Sequence, residues 1–159
     1  MAKKMAKKTP LDEWRFLIGK WKGKTKPGQF GVKGVIQGNL AFECEPSSLF
    51  ITAKEDNRCD GELINKNISI LFYDSAEGKF KRKTFFSYGF VNNEVECEST
   101  GKEIKFDITM EPTAKQYEGV RQRSYIRKLS DVRIATGLEF AKGKEEFKNF
   151  GEAVFEKVA

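Results

Sequence analysis

A chain of 159 residues, 39% of them hydrophobic and fourteen of them Phe, can build one core that hides roughly 70% of the surface of the unfolded polypeptide, and it needs no second domain. Histidine is absent, which removes the commonest general base, the commonest metal ligand and the usual proximal haem ligand together. The net charge is +6, but Lys3, Lys4, Lys7 and Lys8 supply four of those charges, so the rest of the chain is near balance and argues only weakly for nucleic acid.

No apolar run approaches the roughly 18 residues of a membrane-spanning helix; Ile70-Leu71-Phe72-Tyr73 is among the longest. The charged start is followed by no apolar signal core, so a cytoplasmic location is expected. Cys44, Cys59 and Cys97 are odd in number and lack Cys-x-x-Cys spacing, which fits reduced thiols better than a disulfide framework or a zinc site.

In chain order, residues 1–9 read as a disordered basic tail and residues 10–159 as a single barrel domain. Thr9-Pro10-Leu11-Asp12-Glu13 starts a helix, with a capping residue, a proline in the first turn and two acids that complement the macrodipole. Leu11, Trp14 and Leu17 or Ile18 recur at spacings of three and four, so this helix presses an apolar face onto something apolar, and a barrel end serves. From Gly19 to Thr25, Lys20, Lys22 and Lys24 alternate with Trp21; the lysines face water, so Trp21 faces in. After a break at Lys26-Pro27-Gly28, Val32 to Glu45 alternates as one long strand whose glycines permit the bending of a barrel wall.

Pro46-Ser47-Ser48 reads as a turn, Leu49 to Lys54 as a strand, Glu55 to Arg58 with Asp60-Gly61 as a polar separator, and Ile64 to Tyr73 as the next strand. Asp74 to Gly78 closes a hairpin. Lys79 to Tyr88 places Phe80, Arg82, Thr84, Phe86 and Tyr88 on one face, the mixed pattern of a polar-spotted cavity wall. Val91-Asn92-Asn93 reads as a turn leading into Glu94 to Ser99, with Glu94, Glu96 and Glu98 outside and Val95 and Cys97 inside. Ile104, Phe106, Ile108 and Met110 point inward at period two, and Tyr117 to Leu129, Val132 to Phe140 and Glu152 to Val158 follow, with Gly143 to Gly151 as a longer connection. The expected fold is all-β, an up-and-down antiparallel β-barrel of about ten strands with a short N-terminal helix.

The helix is followed by Phe16-Leu17-Ile18-Gly19-Lys20-Trp21-Lys22-Gly23. Further on come Phe72-Tyr73-Asp74, Gly78-Lys79-Phe80, Ser87-Tyr88-Gly89 and the terminal Gly151-Glu152-Ala153-Val154-Phe155. In these residues and their order the chain resembles the calycin superfamily, and within it the fatty-acid-binding-like ten-stranded barrels that include nitrobindin. The resemblance implies an interior cavity for a small hydrophobic or amphipathic ligand, and in nitrobindin-like members a haem held by a histidine near the C-terminus. This chain has no histidine for that role. Tyr117, Tyr125 and Cys97 are the side chains left that ligate iron in principle, and no cofactor is expected.

The candidate ligand-binding residues are Trp21, Arg82, Phe86, Phe106, Ile108, Arg121, Arg123 and Tyr125. Trp21 either caps a ligand cavity or plugs the barrel end as core. Arg121, Arg123 and Arg127 share a period-two face with Tyr117, Tyr125 and Leu129. Pointing inward, that face would bind a carboxylate or phosphate in fork geometry, with Tyr125 donating a further hydrogen bond. Arg123-Ser124-Tyr125 resembles the Arg-x-Tyr element with which fatty-acid-binding proteins hold a lipid carboxylate, although in that family the element lies on the final strand. In the other orientation Val120 and Ile126 face in and the arginines meet exterior acids.

No catalytic constellation is legible: Asp107, Asp131 and Glu139 are scattered, Ser and Thr have no partner base, and there is neither a Gly-rich phosphate loop nor a metal-spaced cluster. Lys79, Lys81, Arg82 and Lys83 with the basic tail could track a nucleic-acid backbone, Phe85 and Phe86 stacking on bases. The leading expectation is non-catalytic binding of a small hydrophobic or amphipathic molecule, anionic ones included, inside the barrel. The alternative is a nucleic-acid-binding or protein-interaction module that uses the basic surface, and a homodimer is compatible with either.

Overall fold

The computed structural model describes residues 9–44 and 49–159, so most of the expected tail and the turn at Pro46-Ser47-Ser48 lie outside the described residues. The Thr9 N–H donates to Asp12 Oδ2 at 2.8 Å and its carbonyl accepts from the Asp12 N–H at 2.9 Å. These bonds fix the first turn of a 3-10 helix over Pro10–Leu17, which buries Leu11, Trp14 and Leu17. No helix among the described residues is long and apolar enough to cross a membrane.

The strands that follow are β1 Gly19–Thr25, β2 Ile36–Glu43, β3 Phe50–Cys59, β4 Glu62–Asp74, β5 Lys79–Phe86, β6 Val91–Thr100, β7 Glu103–Glu111, β8 Val120–Ser130, β9 Arg133–Lys142 and β10 Lys148–Lys157. Each pairs antiparallel with the next. The sheet closes because β1 also pairs with β10, Trp21 opposite Lys157 and Gly23 opposite Phe155. Closure leaves no edge strand with unpaired backbone groups. Gly23 is required at this seam, since a Cβ there would stand 2.5 Å from the Phe155 ring.

The helix seals one end of the barrel. Leu11, Trp14 and Leu17 join one buried cluster with Trp21, Phe42, Ile51, Leu71 and Phe80, and Trp21 Nε1 donates to the Leu17 carbonyl at 2.7 Å. Burying two indoles here without stranding the Trp21 N–H is what makes the plug stable.

Several boundaries differ from the sequence expectation, each for a physical reason. β2 begins at Ile36 and not at Val32, because Gly28, Phe30 and Gly31 all take positive φ (83°, 55° and 71°). They coil the preceding residues into a 3-10 segment at Gln29–Gly31, whose Gln29 Oε1 accepts from the Glu152 N–H at 3.0 Å. Glu55 to Arg58 is strand, not separator: β3 runs unbroken to Cys59, and the turn is confined to Asp60-Gly61, both at positive φ. Val91 to Asn93 also belongs to a strand, and the chain reverses earlier, where the Gly89 N–H donates to the Phe86 carbonyl at 3.0 Å. β8 starts at Val120, after a turn at Lys115–Tyr117, and β10 starts at Lys148, which shortens the last connection.

Candidate functional site

Strand alternation decides what the barrel contains. Inward positions on β2, such as Ile36, Leu40 and Phe42, are apolar and buried, whereas β3 and β4 turn Glu55, Asn57, Asn65, Asn67 and Ser69 inward and β5 turns Arg82, Thr84 and Phe86 inward. Across from them β6 supplies Asn92 and Glu94, β7 Ile108 and Met110, and β8 Gln122, Ser124 and Ile126. Together they line a cavity of about 580 Å³, within the range of small-molecule sites. Its end away from the N-terminal helix is rimmed by Phe30, Phe150, Phe140 and Tyr117. Phe140 stacks on Phe150 at 4.4 Å between centroids, and Phe30 and Tyr117 meet this pair edge-on at 6.3 and 6.0 Å.

Arg82 and Glu94 sit directly opposite each other on β5 and β6. Arg82 donates to Glu94 from Nε at 3.0 Å and from Nη2 at 2.7 Å, while Thr84 Oγ1 and Ser124 Oγ donate to the same carboxylate at 2.6 and 2.5 Å. Glu94 is thereby saturated, with four donors on two oxygens. Nη2 of Arg82 also reaches Ser124 Oγ at 3.1 Å, and the guanidinium lies 4.9 Å over the Phe106 ring. Burial by itself would lower the Arg82 pKa, but the adjacent Glu94 carboxylate outweighs it and the pKa is raised. Removing either partner would leave an uncompensated buried charge, a loss of about 3–5 kcal/mol.

Glu55 lies on the wall formed by β3 and β4. It accepts from Asn67 Nδ2 at 2.8 Å, and Asn57 Nδ2 donates to Asn65 Oδ1 at 2.9 Å beside it. Desolvation raises the Glu55 pKa, against the opposing pull of the Asn67 hydrogen bond and the Arg82 charge. Asn92 is 7% exposed, and its Oδ1 is buried without a hydrogen-bond partner. Such an orphaned acceptor in the wall of a cavity is uncommon.

The candidate residues separate into three groups. Arg82, Phe86 and Ile108 line the cavity. Trp21 and Phe106 are core, at 1% and 0% exposure, Trp21 under the plug and Phe106 beneath the Arg82 guanidinium. The expectation that Arg121, Arg123 and Tyr125 clamp an anion inside the barrel is corrected: the Arg121 and Arg123 side chains lie on the outer wall, and Tyr125, which borders the cavity and is buried, commits its hydroxyl to Glu152 and Asn149. Gln122, Ser124 and Ile126 take the inward positions of β8, and period two then sends the arginines out.

On the outer wall Arg123 meets Asp107 at 2.8 Å and Glu98 at 3.8 Å, and Arg127 meets Glu103 at 2.6 Å. Arg121 donates to the Gly143 and Glu145 carbonyls at 3.0 and 2.7 Å, and both Arg121 and Arg123 stack on Phe147. The Tyr125 ring crosses β9 at Gly137, where a Cβ would collide with it, and its hydroxyl donates to Glu152 and accepts from Asn149. Burial and the Glu152 partner push the Tyr125 pKa far above the ordinary phenol range.

Sequence reasoning missed Glu55, Asn57, Asn67, Asn92, Gln122 and Glu94, the last of which was expected outside. One signal was present. Once the β5–β6 hairpin is placed, Arg82 and Glu94 become a directly opposed cross-strand pair of opposite charge on the face already marked by Phe80, Thr84 and Phe86.

The basic run expected to track a nucleic-acid backbone is broken. Arg82 is inside, and Lys81 is held by Asp74 and Glu77 at 2.8 and 3.0 Å; of the two aromatics, Phe85 is outside and Phe86 inside. The outer wall does form a separate groove of about 680 Å³ across β1 to β5, lined by Lys20, Lys22, Lys54 and Lys66 around Ile68 and Phe85.

The fold is shared with solved structures. The chain is similar over 97% of its length to all of Rv2717c from M. tuberculosis, at 17% identity and a TM-score of 0.71. It is similar over 96% of its length to 98% of the S-type phycobiliprotein lyase CPES from Guillardia theta, at 10% identity and a TM-score of 0.55. These likenesses establish the closed antiparallel barrel fold. No protein-family model matches the chain, and no curated protein is similar to it in sequence.

Proposed function

We propose that this protein binds a small amphipathic molecule inside its barrel without transforming it. The observation that carries this reading is the cavity of about 580 Å³, whose walls combine Phe86, Ile108, Leu138 and the aromatic rim with a hydrogen-bonded polar patch. A barrel built only for stability would fill this space with apolar side chains, and buried polar groups are a burden unless something uses them. The Ser124 and Thr84 hydroxyls donate to Glu94, which also takes two hydrogen bonds from Arg82, so this carboxylate keeps no acceptor capacity to serve as a base.

The test is titration with a neutral solvatochromic dye such as Nile red, comparing wild type with Ile108→Trp, which adds bulk to the cavity wall from β7. Saturable binding in wild type, weakened ~10-fold or more in a variant with unchanged circular dichroism, is the expected result. Dye binding unaffected by the substitution would overturn the reading.

The lysine-lined outer groove favours a second reading, in which an anionic macromolecule such as single-stranded nucleic acid lies across β1 to β5 with Phe85 available for stacking. Such binding would weaken steeply with salt because counterions are released. Binding in the cavity would barely change with salt.

A further inference from the structure

We infer that the molecule held in the cavity presents hydrogen-bond donors on a neutral or cationic head, an amide, alcohol or amine, and not a carboxylate or phosphate. The inference rests on the cavity reading proposed above and deepens it. Its first support is the charge inventory. The charged side chains lining the cavity are Arg82, Glu94 and Glu55, and Arg82 is committed to Glu94 through two hydrogen bonds. What remains is the Glu55 carboxyl group facing the cavity, so an anionic head would enter beside it, and beside a negative charge whenever it is ionised, with no free cation among the described residues to meet it. In a space of low dielectric that juxtaposition is strongly unfavourable. The arginines once expected to receive an anion point away from the cavity and are held by exterior partners.

The second support is Asn92. The residue lines the cavity, is only 7% exposed, and carries a buried Oδ1 with no partner. A carboxamide oxygen can only accept, so a ligand that satisfies it must donate. A carboxylate would set acceptor against acceptor at Asn92 and again at Glu55. An amide or ammonium head would supply donors to both, and its apolar part would lie among Phe86, Ile108 and the aromatic rim. A site built to hydrogen-bond a donor rejects the analogue that lacks it, because its own buried acceptors are then left unpaired.

The experiment compares n-decylamine, decanamide and decanoate by isothermal titration in wild type, Glu55→Gln and Asn92→Leu, with Nile red displacement as a second readout. Decylamine and decanamide should bind wild type at least ~10-fold more tightly than decanoate. Glu55→Gln should weaken decylamine by about that factor while leaving decanamide nearly unchanged, since only the charged head loses an opposite charge. Asn92→Leu should weaken both donor-bearing probes.

Decanoate binding as tightly as decylamine would overturn the inference and leave the cavity reading standing, as would failure of all three probes where Nile red still binds in an Ile108-dependent way. Loss of both kinds of binding would overturn the cavity reading itself.

Discussion

Glu55 carries a cost that depends on pH. Its folded-state pKa is raised, first by desolvation and against the Asn67 hydrogen bond and the Arg82 charge. The folded state therefore holds the Glu55 proton more tightly than the unfolded chain does, where a glutamate titrates at about 4.3. The stabilisation this represents is complete below the unfolded value and is lost as pH rises through the raised folded value. Above that raised value the ionised side chain opposes folding. Glu55→Gln keeps the shape and an acceptor for Asn67, and is expected to raise Tm by a few degrees at pH 7–8, with the gain vanishing as the pH approaches about 4. Thermal melts of both proteins across that range check it; an equal gain at both ends would mean that packing, not charge, was responsible. The residue was unreadable from the sequence because Glu55-Asp56-Asn57-Arg58 has the composition of a loop, and a strand facing a polar cavity on one side and water on the other shows no alternation to read.

The same logic sorts the elements. β1 and β7 were legible almost to the residue, and so was the inward face of β2 although not its start, because Trp21, Leu40, Phe42, Ile104 and Phe106 turn apolar side chains toward a dry core and contrast with outward lysines, asparagines and acids. β3 beyond Lys54 and the start of β6 were not, since Asn57 and Asn92 face inward there; β4 was read as a strand, but its inward Asn65 and Asn67 were not read as cavity wall. β8 is a different case. Both of its faces mix polar and apolar residues, and the deciding fact is non-local: Gly137 on β9 leaves a notch that the Tyr125 ring fills from outside. That notch pins the orientation of the strand, with Arg127 lying 4.9 Å over the same ring. Gly137→Ala should drive a methyl group into the ring and lose about 1–3 kcal/mol, in line with overpacked sites elsewhere, as measured by the urea midpoint at unchanged slope. A neutral effect would mean that the ring moves freely and that β8 is oriented by its ion pairs instead.

At the scale of the whole molecule the barrel divides its two tasks between its two ends. The helix-sealed end holds Leu11, Trp14, Leu17 and Trp21 in one dry cluster, and the polar patch and aromatic rim lie toward the other. Strands run continuously between the two, so the ends share one folding unit, but Trp14 is not among the residues lining the cavity. Stability and binding should therefore respond to different substitutions and add without coupling. A cavity ligand at a hundred times its Kd stabilises a folded chain by about 2.7 kcal/mol, which for a chain of this size raises Tm by roughly 5–10 °C. Trp14→Ala should lower Tm through the loss of about 3–5 kcal/mol of core packing, yet the ligand-induced rise should stay the same in this variant as in wild type. Ile108→Trp should do the reverse, nearly preserving Tm and abolishing the rise. Scanning calorimetry of the three proteins with and without a bound probe decides it: a ligand-induced shift that shrinks in Trp14→Ala would mean that the plug and the cavity are one coupled site, and that the order of the sealed end sets the shape of the open one.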